Sequence, residues 1–575
     1  MTTMWPCSDR LFTRSRTTGL SVLIALLGVS VIAAHDETRE AAEQRRQNVE
    51  RLALAQADPT AAKLPDEELA TVKLRTIDDA TGKPLPALVR VTNVADGLAI
   101  RLPQEIHRAA NWYSLAAETT LRLPRRKLRI EALHGLETEL ASREIDLRDD
   151  ASPLTPGPSP ARGEGGQTGL VELKIRRFYD AAKAGLWSGN THLHLRGLSI
   201  AEMDRYLRLV PQTDGLDVVF VSHLRRAVDD RDYTTNVLTT ADLARLSTPN
   251  VQYGNGEEHR HNFDAGGEGF GHVMFLNIRQ LIQPVSIGPG IMREGTDGRP
   301  LRTGIEAARA DGATVIWCHN RFGLEDVPNW LAARLDAQNI HDGSQVHGTY
   351  DETFYRYLNL GMRIPFSTGT DWFVYDFSRV YVPLRNEKSA ATWLEQLKTG
   401  ASFITNGPLL EFSIDDYRLG DVIQIDGPKR MRIRARGVGR TDFHALQVIE
   451  NGRILKVAAT KRVGGHYESE LAFEANLDGP SWFALRTDDT VIREVDPTNE
   501  LGQPIFSHTS PIYVEMNGRK PFRIDEAEKL RAELIRALEV IPQRGKFADD
   551  AEREQVLTVY REGLRLLDAR IRLAK

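Results

Sequence analysis

The sequence predicts an α/β protein with a β-rich region on either side of its α/β unit. Between residues 185 and 402, short apolar runs alternate with amphipathic helix patterns, which indicates buried strands separated by helices. Before and after this part, short alternating strands and turns are typical of β-sandwiches. At 575 residues the chain is also too long for a single domain.

These changes in pattern divide the chain into six predicted segments. They are a signal peptide at 1–34, a leader helix or linker at 35–67, an N-terminal β-sandwich at 68–184 with a Pro/Gly-rich insert at 151–167, the α/β unit at 185–402, a C-terminal β-sandwich at 403–518 and C-terminal helices at 519–575. The insert cannot pack a core because prolines and glycines dominate it.

The N-terminal segment predicts export. Three arginines precede the apolar run 19–33, and Val31 and Ala33 suit the positions before a cleavage site. The run is shorter than the roughly 20 residues of a membrane span, so we expect a secreted or periplasmic protein, with an uncleaved N-terminal anchor as the alternative. Cleavage removes Cys7 and leaves Cys318 alone, so we expect no intrachain disulfide.

Composition excludes one large class of partner. Apolar residues make up 41% of the chain, charged residues 27%, and the formal net charge is -5. A nucleic-acid-binding protein calls for a strongly basic face, so we expect a small-molecule partner and no nucleic acid.

Potential metal ligands lie at or just beyond the ends of the apolar runs in the α/β unit. They are His192, His194, His223, Glu258, His272, His319 and Asp371. The C-terminal ends of successive parallel strands meet at one mouth of an α/β barrel, where a site can form. Two histidines two residues apart share one face of a strand. Imidazole and carboxylate ligands suit Zn, Mn or Fe, and their number exceeds what one tetrahedral ion needs. We therefore expect two divalent ions, with Glu258 able to bridge them.

Several segments resemble the CehA/McbA family of metallohydrolases in the PHP (polymerase and histidinol phosphatase) superfamily. They are Trp187–His194, Gly256–Glu258, Gly271–His272, Cys318–Asn320, Gly369–Asp371 and Gly400–Pro408. The resemblance covers about residues 185 to 412 and implies a distorted (β/α)7 barrel with two or three metals. By position, His192, His194, Glu258 and Asp371 match the ligands of one ion, and Glu258, His272 and His319 match those of a second.

The sequence also departs from this family. Asn190 and Ser222 stand where the family usually has Asp, and Asp371-Trp372-Phe373 lacks the histidine that often ends the last motif. Of the usual third-metal ligands only His223 remains. We therefore predict a two-metal site, with His223 as a substrate contact or an acid.

Three neighbouring residues have other expected roles. His259 and His261 follow Glu258 in what reads as a polar loop, and we expect them to support the ligands or lie at the surface. Cys318 precedes His319, so in a strand its side chain points to the opposite face and packs in the core.

Arginine closely follows the ligands at several positions. These residues are Arg196, Arg225, Arg226, Arg260 and Arg321. Loops after strand ends surround a barrel mouth, and guanidinium groups bind phosphate or carboxylate by two hydrogen bonds. This pattern predicts an anionic substrate, with Arg321 at the catalytic site. The alternative is that some of these arginines pair with Asp217, Asp229 or Asp230.

Together these features predict an exported binuclear metal-dependent hydrolase. We expect a hydroxide activated by the ions to cleave a phosphoester, carbamate or amide bond. The alternative is a catalytically inactive metal-binding or ligand-binding surface protein, which the three departures favour. A purely structural role leaves the ligands at the strand ends unexplained.

Overall fold

A computed structural model describes residues 57–58, 64–148, 169–225, 233–261, 263, 269–319, 324–342, 354–383, 387–487 and 497–574. The protein is a mixed α/β protein with many strands in sheets. The predicted signal segment and the insert at 151–167 lie outside the described residues, and so does the predicted leader segment 35–67 apart from residues 57–58 and 64–67. Within these ranges, every helix is too short or too polar to cross a lipid bilayer.

The N-terminal region consists of two sheets that enclose an apolar core. Its strands are β1 (Leu69–Asp78), β2 (Ala87–Asn93), β3 (Ile106–His107), β4 (Tyr113–Leu115), β5 (Glu118–Pro124), β6 (Lys127–Leu133), β7 (Ala141–Asp146) and β8 (Gly169–Ile175). One sheet has the order β5-β1-β8 and the other the order β3-β4-β2-β6-β7. Alternate residues such as Val72, Val89 and Ile130 are buried between the sheets, as strand periodicity requires. The insert falls between β7 and β8.

The central region alternates strands and helices. Its strands are β9 (Leu186–His194), β10 (Val218–His223), β11 (Gln252–His261), β12 (Gly271–Leu276), β13 (Ser286–Ile287), β14 (Thr314–Trp317), β15 (Ala337–Asn339), β16 (Phe366–Ser367), β17 (Asp371–Trp372), β18 (Arg379–Pro383) and β19 (Phe403–Thr405). Its helices are α1 (Ile200–Thr213), α2 (Thr240–Leu246), α3 (Pro289–Met292), α4 (Leu301–Asp311), α5 (Asp326–Leu331), α6 (Arg356–Leu358) and α7 (Ala390–Lys398).

Strand pairing in this region brings the predicted ligands to one edge. β9, β10 and β11 are parallel neighbours, and β14, β15 and β16 form a second parallel set. Between the two sets, β12 runs antiparallel to both β11 and β14. The start of β12 therefore lies beside the end of β11, with His272 opposite Arg260. His272 is the second residue of the antiparallel strand β12. It therefore reaches the other predicted ligands from the start of an antiparallel strand, and not from the end of a parallel one.

The segment 366–372 lies between β15 and β9. Ser367 pairs with Asn339 of β15, and Asp371 pairs with Leu193 of β9. The Thr370 N–H donates to the His192 carbonyl over 3.1 Å. A Cβ atom added to Gly369 would lie 2.5 Å from the Cβ of His192, so only glycine permits this approach.

The C-terminal region is again β-rich and ends in two long helices. Its elements are β20 (Leu409–Ile414), β21 (Val422–Ile425), β22 (Lys429–Gly439), β23 (Ala445–Glu450), β24 (Arg453–Ala459), β25 (Lys461–Val463), β26 (His466–Leu477), β27 (Ser481–Thr487), β28 (Ser507–Thr509), β29 (Ile512–Met516), α8 (Ile524–Arg544) and α9 (Asp550–Ala574).

This C-terminal region is continuous with the central one. β20, β22, β26 and β25 form a separate sheet, whereas β28 pairs with β19 and so extends the central sheet. One face of α9 is buried in the same core cluster as the central strands, through Leu557, Tyr560, Leu567 and Ile571. The two helices therefore stabilise the central region by burying apolar surface.

Candidate metal centre

The centre begins with two histidines on β9. His192 and His194 are fully buried, and their side chains share a face because they are two residues apart in a strand. Their Nε2 atoms lie 3.1 Å apart. Two imidazole nitrogens at this distance repel unless a proton or a cation lies between them. Two ligands about 2.1 Å from a tetrahedral zinc ion are roughly 3.4 Å apart, so the spacing suits an ion.

Two carboxylates complete the first group of ligands. Oε2 of Glu258 is 3.1 Å from Nε2 of His194, and Oδ1 of Asp371 is 3.3 Å from Nε2 of His192. Donor atoms of these four buried residues lie within 4.8 Å of one another. The structure therefore brings together the four residues that the sequence assigned to one ion.

The other oxygen of Glu258 faces a second group. Oε1 lies 3.0 Å from Nδ1 of His272 and 3.3 Å from Nε2 of His319. These three residues also have donor atoms within 4.8 Å of one another. Glu258 belongs to both groups, with one oxygen in each, which is the placement that a bridging carboxylate needs.

Hydrogen bonds fix how the imidazole rings are presented. Nδ1 of His192 donates to Oδ2 of Asp342 over 2.9 Å, and Nδ1 of His319 donates to Oδ1 of the same carboxylate over 3.0 Å. Nδ1 of His194 donates to the carbonyl of Ser222 over 2.9 Å. With hydrogen on Nδ1, the neutral rings leave Nε2 free to accept an ion.

Asp342 is the functional residue that sequence reasoning missed. It is buried and holds two rings of the centre at once. It follows β15, whose three residues Ala337-Gln338-Asn339 are too few and too polar to stand out as a buried strand. The apolar Ile340 just after the strand, followed by His341-Asp342, is the weak signal that could have found it.

Electrostatics of the buried groups show how strongly the centre favours positive charge. Burial lowers the pKa of His192, but the carboxylates of Asp371, Asp342 and Glu258 outweigh it and raise the pKa to about 9. Burial raises the pKa of Glu258, but Arg260 and the neighbouring histidines hold it well below its usual range. His194 has a lowered pKa, because of burial and the charge of His192. In this geometry Glu258 stays ionised and attracts protons or cations.

The backbone at two ligands is left-handed. His319 has φ 64° and Asp371 has φ 57°, values that side-chain-bearing residues rarely adopt. Such strain concentrates at functional sites, where the surrounding structure enforces it. The left-handed backbone of His319 comes two residues after β14 ends at Trp317. The alternation of side chains along the strand therefore does not extend to Cys318 and His319.

That break corrects the expectation for Cys318. The residue is fully buried in the apolar core cluster, as predicted. Its thiol sulfur, however, lies within 4.8 Å of ring nitrogens of His192 and His319, so it does not point away from the centre. The prediction from alternation was wrong because the strand ends one residue earlier.

His259 and His261 are also placed differently from the prediction. β11 continues to His261, and both rings are buried, so neither lies in a polar surface loop. Nδ1 of His259 is 3.0 Å from Oε1 of Glu257, on the face of β11 opposite to Glu258. Gly304 of α4 packs directly on the His259 ring. A Cβ atom added to Gly304 would lie 2.2 Å from Nε2 of His259, so the contact requires glycine.

Asn190 stands where the CehA/McbA resemblance predicts Asp, and its side chain joins two segments of the protein. Its Oδ1 accepts the N–H of His192 over 3.1 Å, and its Nδ2 donates to Oγ1 of Thr370 over 2.7 Å. The side chain thus ties β9 to the segment 366–372, close to two ligands. An amide can donate and accept in this way, whereas a carboxylate can only accept.

The arginines near the ligands differ in their surroundings. Nη2 of Arg260 is 2.5 Å from Oε2 of Glu258, and both groups are buried. The Arg196 guanidinium lies over the ring of Trp372, 4.7 Å from its centroid. Arg225 is exposed, and Arg226 and Arg321 lie outside the described residues, as do Asp229 and Asp230. Asp217 pairs with Lys388.

His223 lies at the end of β10, half-buried beside the centre. Burial and the nearby charges of His194 and Arg225 lower its pKa, so the ring is neutral near pH 7. It belongs to none of the ligand groups formed by the described residues. Its role as a substrate contact or acid stays a prediction, as does any role of Arg321.

Comparison with known proteins adds no assignment. A scan against protein-family models finds no match, and a search of curated proteins finds none similar to this chain. The chemistry of the centre therefore rests on its own residues: buried His, Glu and Asp groups that could hold metal ions.

Proposed function

We propose that the protein is an exported hydrolase that depends on two divalent metal ions. The observation that carries the proposal is the position of Glu258, whose two oxygens belong to two separate groups of buried imidazoles and carboxylates. One group is His192, His194, Glu258 and Asp371, and the other is Glu258, His272 and His319. Mixed imidazole and carboxylate ligands fit Zn, Mn or Fe.

A distorted (β/α)7 barrel of the PHP type is the fold that best accounts for this arrangement. The hydrogen bonds of residues 366–372 to β15 on one side and β9 on the other support it. The antiparallel β12 accounts for the distortion, because it interrupts an otherwise parallel series. In such a barrel the ligands gather at one mouth, where a substrate can enter.

The residues divide the chemical work between them. Bound divalent ions supply Lewis acidity and lower the pKa of water, which is the chemistry that hydrolysis requires. Asp342 and the Ser222 carbonyl keep the imidazoles oriented. We expect His223, at the end of β10 beside the centre, to be a substrate contact or an acid.

The substrate class that this chemistry supports is a small molecule with a phosphoester, carbamate or amide bond. The test is a hydrolysis screen of these three classes with protein purified without chelator and loaded with Zn, Mn or Fe. We expect turnover of one class, lost in a His192→Ala/His194→Ala variant that remains folded. Equal rates for both proteins across the whole screen would contradict the proposal.

The second candidate is a metal-binding or ligand-binding protein without catalytic activity. The ion pair between Arg260 and Glu258 favours the ligand-binding form of this candidate, because a guanidinium can neutralise the shared carboxylate in place of an ion. This candidate predicts that the protein binds ions or anions but turns over no substrate class in the same screen.

A further inference from the structure

The chain from β24 into β25 forms an exposed basic edge of the C-terminal region. In this run, residues 453–463, all but Ala458 and Thr460 are exposed. The run contains no carboxylate, although the formal net charge of the whole chain is -5. Its cations are Arg453, Lys456, Lys461 and Arg462. We call residues 453–463 the basic edge.

Large apolar side chains are exposed between these cations. Ile454 is 51% exposed, Val457 49% and Val463 41%, and Leu455 is exposed as well. In the described part of the chain, no other run of this length exposes as many large apolar side chains. Clustered apolar surface on a folded protein marks a place where a partner binds.

The positive charge of the basic edge is not neutralised by its neighbours. Lys461 lies opposite Glu468 of β26, but that carboxylate is 3.4 Å from the guanidinium of Arg436 on β22. Glu470, further along β26, is 3.3 Å from the same guanidinium. Within the described residues, none of the four cations of the edge forms an ion pair. Their charge is therefore free to attract an anionic partner.

The arrangement of these side chains favours a lipid surface as the partner. Side chains alternate along β24, so Ile454 and Lys456 lie on one face and Leu455 and Val457 on the other. Apolar groups on both faces suit an edge that enters a bilayer interface, where the cations can still reach the headgroups. A lysine within an edge strand discourages the addition of another strand, and a second copy of β24 would bring like charges together.

We propose that the basic edge attaches the protein peripherally to an anionic lipid surface. Ile454, Leu455 and Val457 enter the boundary between headgroups and hydrocarbon, and the cations bind lipid phosphates. The attachment is reversible, because few apolar side chains take part and salt screens the charges. It requires neither metal ions nor substrate, so it goes beyond the proposed function and does not depend on it.

The test is co-sedimentation with vesicles of phosphatidylglycerol and phosphatidylcholine, compared with vesicles of phosphatidylcholine alone. Residues 35–575 are used, because the apolar run 19–33 would itself bind lipid. Two double variants remove the charges and the apolar groups separately. They are Lys456→Gln/Lys461→Gln and Ile454→Ser/Val457→Ser.

Each double variant has a control that makes the same change outside the basic edge. Lys127→Gln/Lys529→Gln removes two exposed lysines, and so the same charge, from β6 and α8. Ile200→Ser/Val237→Ser removes two apolar side chains that are 67% and 56% exposed. Circular dichroism checks that all four variants are folded.

We expect the wild type to sediment with the vesicles that contain phosphatidylglycerol, to stay in solution with phosphatidylcholine alone and to be released by added salt. Both double variants in the basic edge should bind about 10-fold more weakly or worse, and both controls should bind like the wild type.

Three results would overturn the proposal. The first is a wild type that stays in solution with both kinds of vesicle, and the second is unchanged binding of either double variant in the basic edge. The third is binding of a labelled poly-glutamate peptide without binding of vesicles, which would assign the edge to an acidic protein. None of these results bears on the metal centre, which is tested by metal content and turnover.

Discussion

Oδ2 of Asp342 lies 2.9 Å from Nδ1 of His192, and both side chains are fully enclosed. The other oxygen of the same carboxylate lies 3.0 Å from Nδ1 of His319. Asp342 therefore connects the first group of ligands with the second through the Nδ1 atoms of two imidazole rings. A carboxylate in this position sets the ring orientation and strengthens an imidazole as a metal ligand.

Substituting Asp342 should weaken metal binding without removing a ligand. We expect Asp342→Asn to lower the affinity for Zn by about 10- to 100-fold, because an amide holds the two rings less firmly than a carboxylate does. Competition with a chromophoric chelator measures the affinity. Asp204→Asn on α1 is the control, since that side chain is half-exposed and pairs only at the surface with Arg208. Equal affinities in the two variants would show that Asp342 does not support the ligands.

Metal binding should release protons and become tighter as pH rises. Although burial opposes the charged ring, Asp371 and its neighbouring carboxylates raise the pKa of His192 to about 9 in the metal-free centre. The ring therefore holds a proton below about pH 9 that an ion must displace, so affinity falls as pH falls below that value. Calorimetry in two buffers of different ionisation enthalpy counts the protons released. An affinity that stays constant between about pH 6 and about pH 9 would argue against ligation by His192.

Gly369 should be required for both stability and the metal centre. A Cβ atom at this position would lie 2.6 Å from the backbone nitrogen of His192, and backbone cannot move aside as a flexible side chain can. We expect Gly369→Ala to push the segment 366–372 away from β9, lowering the free energy of unfolding by about 1–3 kcal/mol and separating Asp371 from His192. Denaturant unfolding and metal content measure the two effects.

Gly427→Ala provides the matched control for this substitution. An added Cβ at Gly427 meets nothing within 4 Å, so the same chemical change is made in open space. We expect this variant to keep wild-type stability and metal content. Wild-type behaviour of Gly369→Ala as well would mean that β9 and the segment 366–372 are not in close contact in solution.

The ligands could be predicted from the sequence because each has a local signal. His192 and His194 stand two residues apart, Glu258 and Asp371 follow short glycine-containing segments, and the structure brings all four together. The helix patterns of the central region also correspond to helices, α1 and α7 among them. Such signals are local because strand periodicity and burial act on neighbouring residues.

The remaining features depend on tertiary contacts that leave little trace in the sequence. Asp342 follows a three-residue strand with only one apolar residue, Ala337, so its partners His192 and His319 reveal its role. The placement of Cys318 depends on a left-handed residue that follows it, which no periodicity predicts. His272 could be recognised as a ligand, but the antiparallel direction of β12 comes from its pairing with β11 and β14.

Metal content by mass spectrometry tests the central claim most directly. The protein is residues 35–575, purified without chelator or affinity metal, and compared with Glu258→Gln and His272→Ala. Since Glu258 serves both groups and His272 only one, we expect two equivalents of Zn, Mn or Fe in the wild type, close to none in Glu258→Gln and one in His272→Ala. One equivalent or none in the wild type, or two in Glu258→Gln, would contradict a pair of ions bridged by Glu258.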